Sequence, residues 1–203
     1  MYSVLPSFIL GFHGCDEALA EKVFSGKTFL KPSQNDYDWL GQGVYFWENN
    51  PRRALEYAQH LKKHPEQCKE TVKKPAVIGA VIDLGRCLNL LDSTSIELVT
   101  GAYTIYEKSC AAKGQKMAEN KNIKGSKDLL LRYRDCAVID TLHTFRSAND
   151  ERPFDSVRGM FMEGSPIYDG AGFHDKSHIQ VCVRNADCIK GYFRPIKKES
   201  ADW

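Results

Sequence analysis

Gly41-Gln42-Gly43-Val44-Tyr45-Phe46-Trp47-Glu48-Asn49-Asn50-Pro51, continued by Arg52-Arg53-Ala54-Leu55-Glu56-Tyr57-Ala58, sets a strand directly against a helix. Two glycines bracket a turn, and the bulky residues Val44 to Trp47 then make a short aromatic strand. Asn50-Pro51 is a helix start, an N-cap followed by proline at the first helical position, and the helix should run to about Lys63. Tyr45 lies on the strand and Tyr57 on the helix that leaves it. Two tyrosines so placed can sandwich a flat heterocycle, and aromatic stacking adds about 0.5–1.5 kcal/mol beyond area burial.

Upstream, Ser7-Phe8-Ile9-Leu10-Gly11-Phe12 is an apolar run of strand length that ends at His13-Gly14. At a strand end the histidine can face a cleft while the glycine lets a ligand approach the backbone. Asp16 opens a helix from Glu17 to Phe24, closed by Gly26, and Lys31 to Leu40 is polar and loop-like. Downstream, the β-branched run Ala76 to Leu84 predicts a central strand. Thr94 and Glu97 form a capping box for a helix through about Ala112. Lys113 to Gly125 is a polar, flexible connection, and a second long helix follows Ser126 to about Thr144. The last third alternates like strands at Val157 to Met162, His178 to Val183 and Cys188 to Phe193. Strands mixed with helices, without regular βαβ alternation, give the class α+β.

The 203 residues suit a single domain able to bury its own core, with 42% hydrophobic and 27% charged residues. No apolar run has the length of a membrane span, and Met1 to Gly11 reads as a first strand rather than a signal peptide. Seven cysteines at irregular intervals, with no CxxC and no His/Cys pairing at ligand spacing, speak against a disulfide framework and a zinc site. Reduced, mostly buried thiols in a cytoplasmic protein are the expectation. A net charge of +2 does not itself point to nucleic acid. The segment 113–134, with Lys113, Lys116, Lys121, Lys124, Lys127, Arg132 and Arg134, could contact phosphates or be a solvated face.

Three fragments in order, Gly11-Phe12-His13-Gly14-Cys15, then Gly41 to Phe46, then His178-Ile179-Gln180-Val181, resemble the catalytic domain of poly(ADP-ribose) polymerase-like and diphtheria-toxin-like ADP-ribosyltransferases. That group is marked by a His-Tyr-Glu triad. Ser25-Gly26 through Lys31-Pro32-Ser33 resembles its donor loop, Arg53 to Ala58 the helix with its second tyrosine, and Gln180 to Phe193 its last strands. The segment 85–155 matches nothing in the family. The resemblance implies a split antiparallel β-sheet core with flanking helices, one domain over residues 1–203, and a helical insertion at roughly 92–150.

It also implies roles. NAD⁺ is the co-substrate, no metal is needed, and Ser33 belongs to the donor-binding loop. His13 would hydrogen-bond a ribose hydroxyl and the Gly14 backbone would pair with the nicotinamide carboxamide, while Tyr45 and Tyr57 would stack on the nicotinamide. At the third position the spacing puts Gln180 in place of the glutamate, which removes a negative charge and favours mono-ADP-ribosylation over chain elongation. Glu163, ahead of the presumed target loop, could supply the carboxylate instead, or His178 or the substrate could assist. Where the family has a serine touching the carboxamide, this chain has Ala54 or Arg53. Gly170 to Asp175 would form a mobile loop in which Phe173 or His174 meets the acceptor. The acceptor is a protein side chain or a nucleic-acid base, and compact transferases of this kind act as intracellular toxins or defence effectors, restrained by an inhibitor or antitoxin protein. Alternatives are an inert module that binds NAD⁺ or ADP-ribose, and a transferase acting on a small molecule such as an antibiotic.

Overall fold

The computed structural model describes residues 8–67, 70–122 and 128–196. It is α+β, built on one seven-stranded sheet in the order β4-β5-β6-β2-β1-β3-β7. The strands are β1 (Ile9–Asp16), β2 (Val44–Glu48), β3 (Pro75–Ile82), β4 (Cys87–Asn89), β5 (Ser156–Phe161), β6 (His178–Val183) and β7 (Ile189–Phe193). Neighbours are antiparallel except β4 and β5, which run parallel. The helices are α1 (Glu17–Phe24), α2 (Pro51–Lys63), α3 (Ser93–Ala112) and α4 (Tyr133–Ala148).

Strand alternation divides the core. Phe46, Ile78, Ala80, Ile82 and Val181 face Ala20 and Val23 of α1. On the other face, Phe12 and Trp47 pack on Ala54 of α2, while Leu88, Val157 and Cys182 meet α3 and α4 through Ala102, Val138, Ile139 and Leu142. The α3–α4 pair thus covers the β4–β6 side of the sheet.

The helix starts follow capping chemistry. Asp16 Oδ1 accepts the Ala18 N–H at 2.9 Å, and its Oδ2 takes the Lys73 and Lys74 N–H groups, which ties α1 to the entry of β3. Asn50 caps α2 by accepting the Arg53 N–H at 3.0 Å. For α3 the expected Thr94/Glu97 box is displaced: Asp92 is the N-cap and accepts the Ser95 N–H at 3.0 Å. The fourth helix starts at Tyr133 rather than after Ser126, a residue outside those described. Trp39 Nε1 donates to the Leu130 carbonyl and Leu131 bridges Lys121, so this stretch is extended.

Two strand expectations also change. The first strand runs on past His13 and Gly14 to Asp16 instead of ending at them. The strand at 75–82 is interior to the sheet as expected, with β1 on one side and β7 on the other. A short β4 lies where none was expected. All six described cysteines are unpaired and five are buried; Cys68 lies outside the described residues.

Candidate functional site

β1 and β2 stay together only briefly. Their register pairs Gly11 with Glu48 and Phe12 with Trp47; beyond that β1 follows β3 while β2 follows β6. The edge of β1 at His13 and Gly14 therefore faces a gap. His13 Nδ1 bridges it to the Tyr45 carbonyl at 2.9 Å, and the ring meets Phe46 edge-on. A carbonyl partner requires the proton on Nδ1, which leaves Nε2 as an acceptor. Burial lowers the His13 pKa, so the ring is neutral at pH 7.

Gly14 lies under α2, where a β-carbon would overlap the Ala54 carbonyl oxygen. Tyr45 faces the same side. Its hydroxyl donates to Gly41 O at 2.7 Å and accepts from Leu40 N–H at 2.9 Å, which ties the ring to the turn before β2. Burial raises the Tyr45 pKa, so the phenol remains protonated. Ser33 belongs to the loop that bridges to Gly43. Tyr57 leans on Trp47, with ring centroids 5.0 Å apart.

Trp47 stands opposite Gln180, and Gln180 opposite Gly159, in one cross-strand row; the next row is His178 with Phe161. Around that row lies a polar cluster. Arg53 Nη2 donates to Glu163 Oε2 at 3.1 Å, and His178 Nδ1 is 3.9 Å from the same oxygen. Burial raises the Glu163 pKa, partly offset by Arg53, and burial lowers that of His178. Trp47 Nε1, Arg53 Nε and His178 Nε2 are buried with no hydrogen-bond partner. Indole and guanidinium nitrogens donate and never accept, whereas His178 Nε2 accepts because the ring proton is on Nδ1 toward the Lys176 carbonyl, so the cluster presents two donors and one acceptor. An unmet buried donor costs about 1–3 kcal/mol.

Of the sequence candidates, His13, Gly14 and Tyr45 meet at the gap, while Tyr57, Gln180 and Glu163 reach one polar cluster through Trp47, Arg53 and His178. Between the two carboxamide candidates, Ala54 is buried against β1 and Arg53 carries the polar group. Trp47 was missed, although alternation along β2 puts it on the Tyr45 face.

The loop after Glu163 is tied at its base: Ser165 N–H donates to Asp175 Oδ1 at 2.8 Å and Lys176 N–H to Glu163 O at 3.2 Å. Phe173 is 67% exposed on it, while His174 Nδ1 bonds the Gly164 carbonyl. Much of the basic segment is engaged internally. Arg132 stacks on Trp39 and pairs with Asp135, Arg134 donates to Ala118 O, and Lys116 pairs with Glu119. Lys124 and Lys127 lie outside the described residues. Among the described residues no group of three or more His, Cys, Asp or Glu side chains could hold a metal ion, and no helix is long and apolar enough to cross a membrane.

No family model matches the chain, and no solved structure matches it. It is similar to MJ0359 of Methanocaldococcus jannaschii, a protein named as uncharacterized, with 27% identity over 196 residues that cover 88% of this chain and 83% of the relative.

Proposed function

We propose that this chain is an NAD⁺-dependent ADP-ribosyltransferase of the split-sheet fold, transferring one ADP-ribosyl group to a macromolecular acceptor in the cytoplasm. The observation that carries this reading is the parting of β1 from β2, with His13 and Gly14 on one lip, Tyr45 on the other, and α2 laid across. An open strand edge offers N–H and C=O groups, which a carboxamide complements with one acceptor and one donor. His13 Nε2 would accept from a ribose hydroxyl, and Tyr57 with Trp47 would supply aromatic surface for the pyridinium ring.

In the reaction the bond between the ribose C1′ and the nicotinamide nitrogen breaks, and the nitrogen keeps the electron pair. The acceptor attacks C1′ and loses its proton. Charge develops on the sugar, and a fixed carboxylate stabilises it most effectively. We assign that part to Glu163 rather than Gln180, because an amide carries no charge to oppose the developing cation. Arg53 fixes the Glu163 carboxylate but also offsets its charge, which favours the rival reading of a module that binds NAD⁺ without transfer.

Labelled NAD⁺ incubated with the protein and cell lysate separates the two. Glu163→Gln should lower nicotinamide release at least hundredfold while NAD⁺ binding persists, and Gln180→Ala should lower it less. Binding without release or labelled acceptor, in wild type as well, overturns the transferase reading. Nuclease treatment of the labelled product then distinguishes a nucleic-acid acceptor from a protein one.

A further inference from the structure

Glu163 stands just beyond the end of β5, where the sheet no longer holds the backbone. Contacts to its own carbonyl and to the peptide that follows fix it there. Gly164 has φ +82°, a left-handed conformation that favours glycine, and a β-carbon on it would overlap Asp175 Oδ1. Lys176 N–H donates to Glu163 O at 3.2 Å, and His174 Nδ1 bonds the Gly164 carbonyl at 3.2 Å. Both partners belong to the returning arm of the same loop. Gly164 N–H instead donates to Asp128 Oδ2 at 3.2 Å, a residue of the connection between α3 and α4.

Asp128 is carried by a strap, residues 128–132, that is itself anchored. Trp39 Nε1 donates to the Leu130 carbonyl at 2.8 Å, and Arg132 N–H donates to the Tyr37 carbonyl at 3.3 Å. The Arg132 guanidinium lies 4.7 Å over the Trp39 ring, and that ring meets Phe161 of β5 with centroids 4.3 Å apart. The strap is therefore fastened to the strand whose end presents Glu163. An ionised acceptor makes the bond to the Gly164 N–H stronger than a neutral one would.

Electrostatics couple the same two residues. Burial is the main cause that raises the Glu163 pKa; Arg53 of α2, Lys176 of the returning arm and Arg132 of the strap lower it, and Asp128 raises it. His178 of β6, kept neutral by burial, lies 3.9 Å from Glu163 Oε2. Removing the Asp128 charge takes away an upward push, so Glu163 then ionises at lower pH.

We propose that Asp128 is a positioning residue for Glu163, holding that carboxylate in place through the Gly164 peptide and making the α3–α4 connection part of the site, an inference that rests on the transferase reading of Glu163. The test has two arms, run on wild type, Asp128→Asn, Asp128→Ala and Trp39→Phe. In the first, nicotinamide release from NAD⁺ is followed against pH. Asp128→Ala should lower kcat at least about tenfold while KM for NAD⁺ changes less than about threefold, and its acid limb should move to lower pH. Asp128→Asn keeps an oxygen acceptor for the Gly164 N–H and should recover kcat to within about threefold of wild type. Trp39→Phe leaves Asp128 intact but releases the Leu130 carbonyl, and should lower kcat at least about threefold. In the second arm the Glu163 carboxyl is titrated by carbon NMR, with its signal assigned through Glu163→Gln, and the midpoint should fall in both Asp128 variants. An unmoved midpoint overturns the proposal, and so does an unchanged kcat in folded Asp128→Ala. If Asp128→Ala fails to fold, an unchanged rate in Trp39→Phe or an unmoved midpoint in Asp128→Asn overturns it instead. If wild type releases no nicotinamide, the transferase reading fails, and the titration alone decides whether Asp128 holds Glu163.

Discussion

At neutral pH three imidazoles, the half-buried His13 and the buried His143 and His178, are kept uncharged, and each uses Nδ1 on a backbone carbonyl. Burial is the first cause of the lowered pKa in every case, and for His143 it reaches about 4. In an unfolded chain such rings titrate near pH ~6.5. For His143 the unfolded state therefore binds, between about pH 4 and 6.5, a proton that the folded state refuses; His13 and His178 act in the same direction, and stability falls as pH falls. The slope is up to about 1.4 kcal/mol per pH unit for each such ring. Glu163, whose carboxyl pKa is raised, opposes this weakly at the acid end. Urea midpoints should drop from pH 7 to pH 5; a flat or rising midpoint would contradict the burial of these rings. The sequence marked His13, because a His-Gly pair closed an apolar run of strand length, but gave no sign of its tautomer or of the partnerless nitrogen of His143. The Arg53–Glu163 pair, 110 residues apart, had no local signature, and Glu163 drew notice through the missing third glutamate alone.

Among elements, the contact of β1 with α2 decides the shape of the site. At Gly14 a methyl group would collide with the Ala54 carbonyl, a helix backbone atom that cannot rotate away. Gly14→Ala should destabilise the fold by about 1–3 kcal/mol, the usual cost of overpacking, and should weaken NAD⁺ binding. Chemical denaturation checks the first effect, and an unchanged midpoint would mean that α2 does not press on β1. Both sides of this contact were legible, since β1 is an apolar run and α2 carries an N-cap followed by proline within their own residues. The failures came where distant chain intervened. β4 exists through its pairing with β5, and the α4 start is set by Trp39 gripping Leu130, whereas the displacement of Thr94 by Asp92 as a cap is a local competition.

Across the whole molecule, one mostly antiparallel sheet carries helices on both faces and parts where the family-like residues gather. The α+β class followed from the mixture of patterns, whereas the strand order did not, because nothing local tells β7 to pair outside β3. The relative from Methanocaldococcus jannaschii spans most of this chain, α3 and α4 included in its extent, and gives no activity to transfer. The proposed function rests on the gap itself. Its direct test is titration of the protein with NAD⁺ while following indole fluorescence and heat, since Trp47 lies against Tyr57 in the proposed aromatic wall. The account predicts saturable quenching that disappears in Trp47→Phe and is matched by saturable heat that weakens at least tenfold in Tyr57→Ala. Neither signal saturating, with the protein folded, would contradict it.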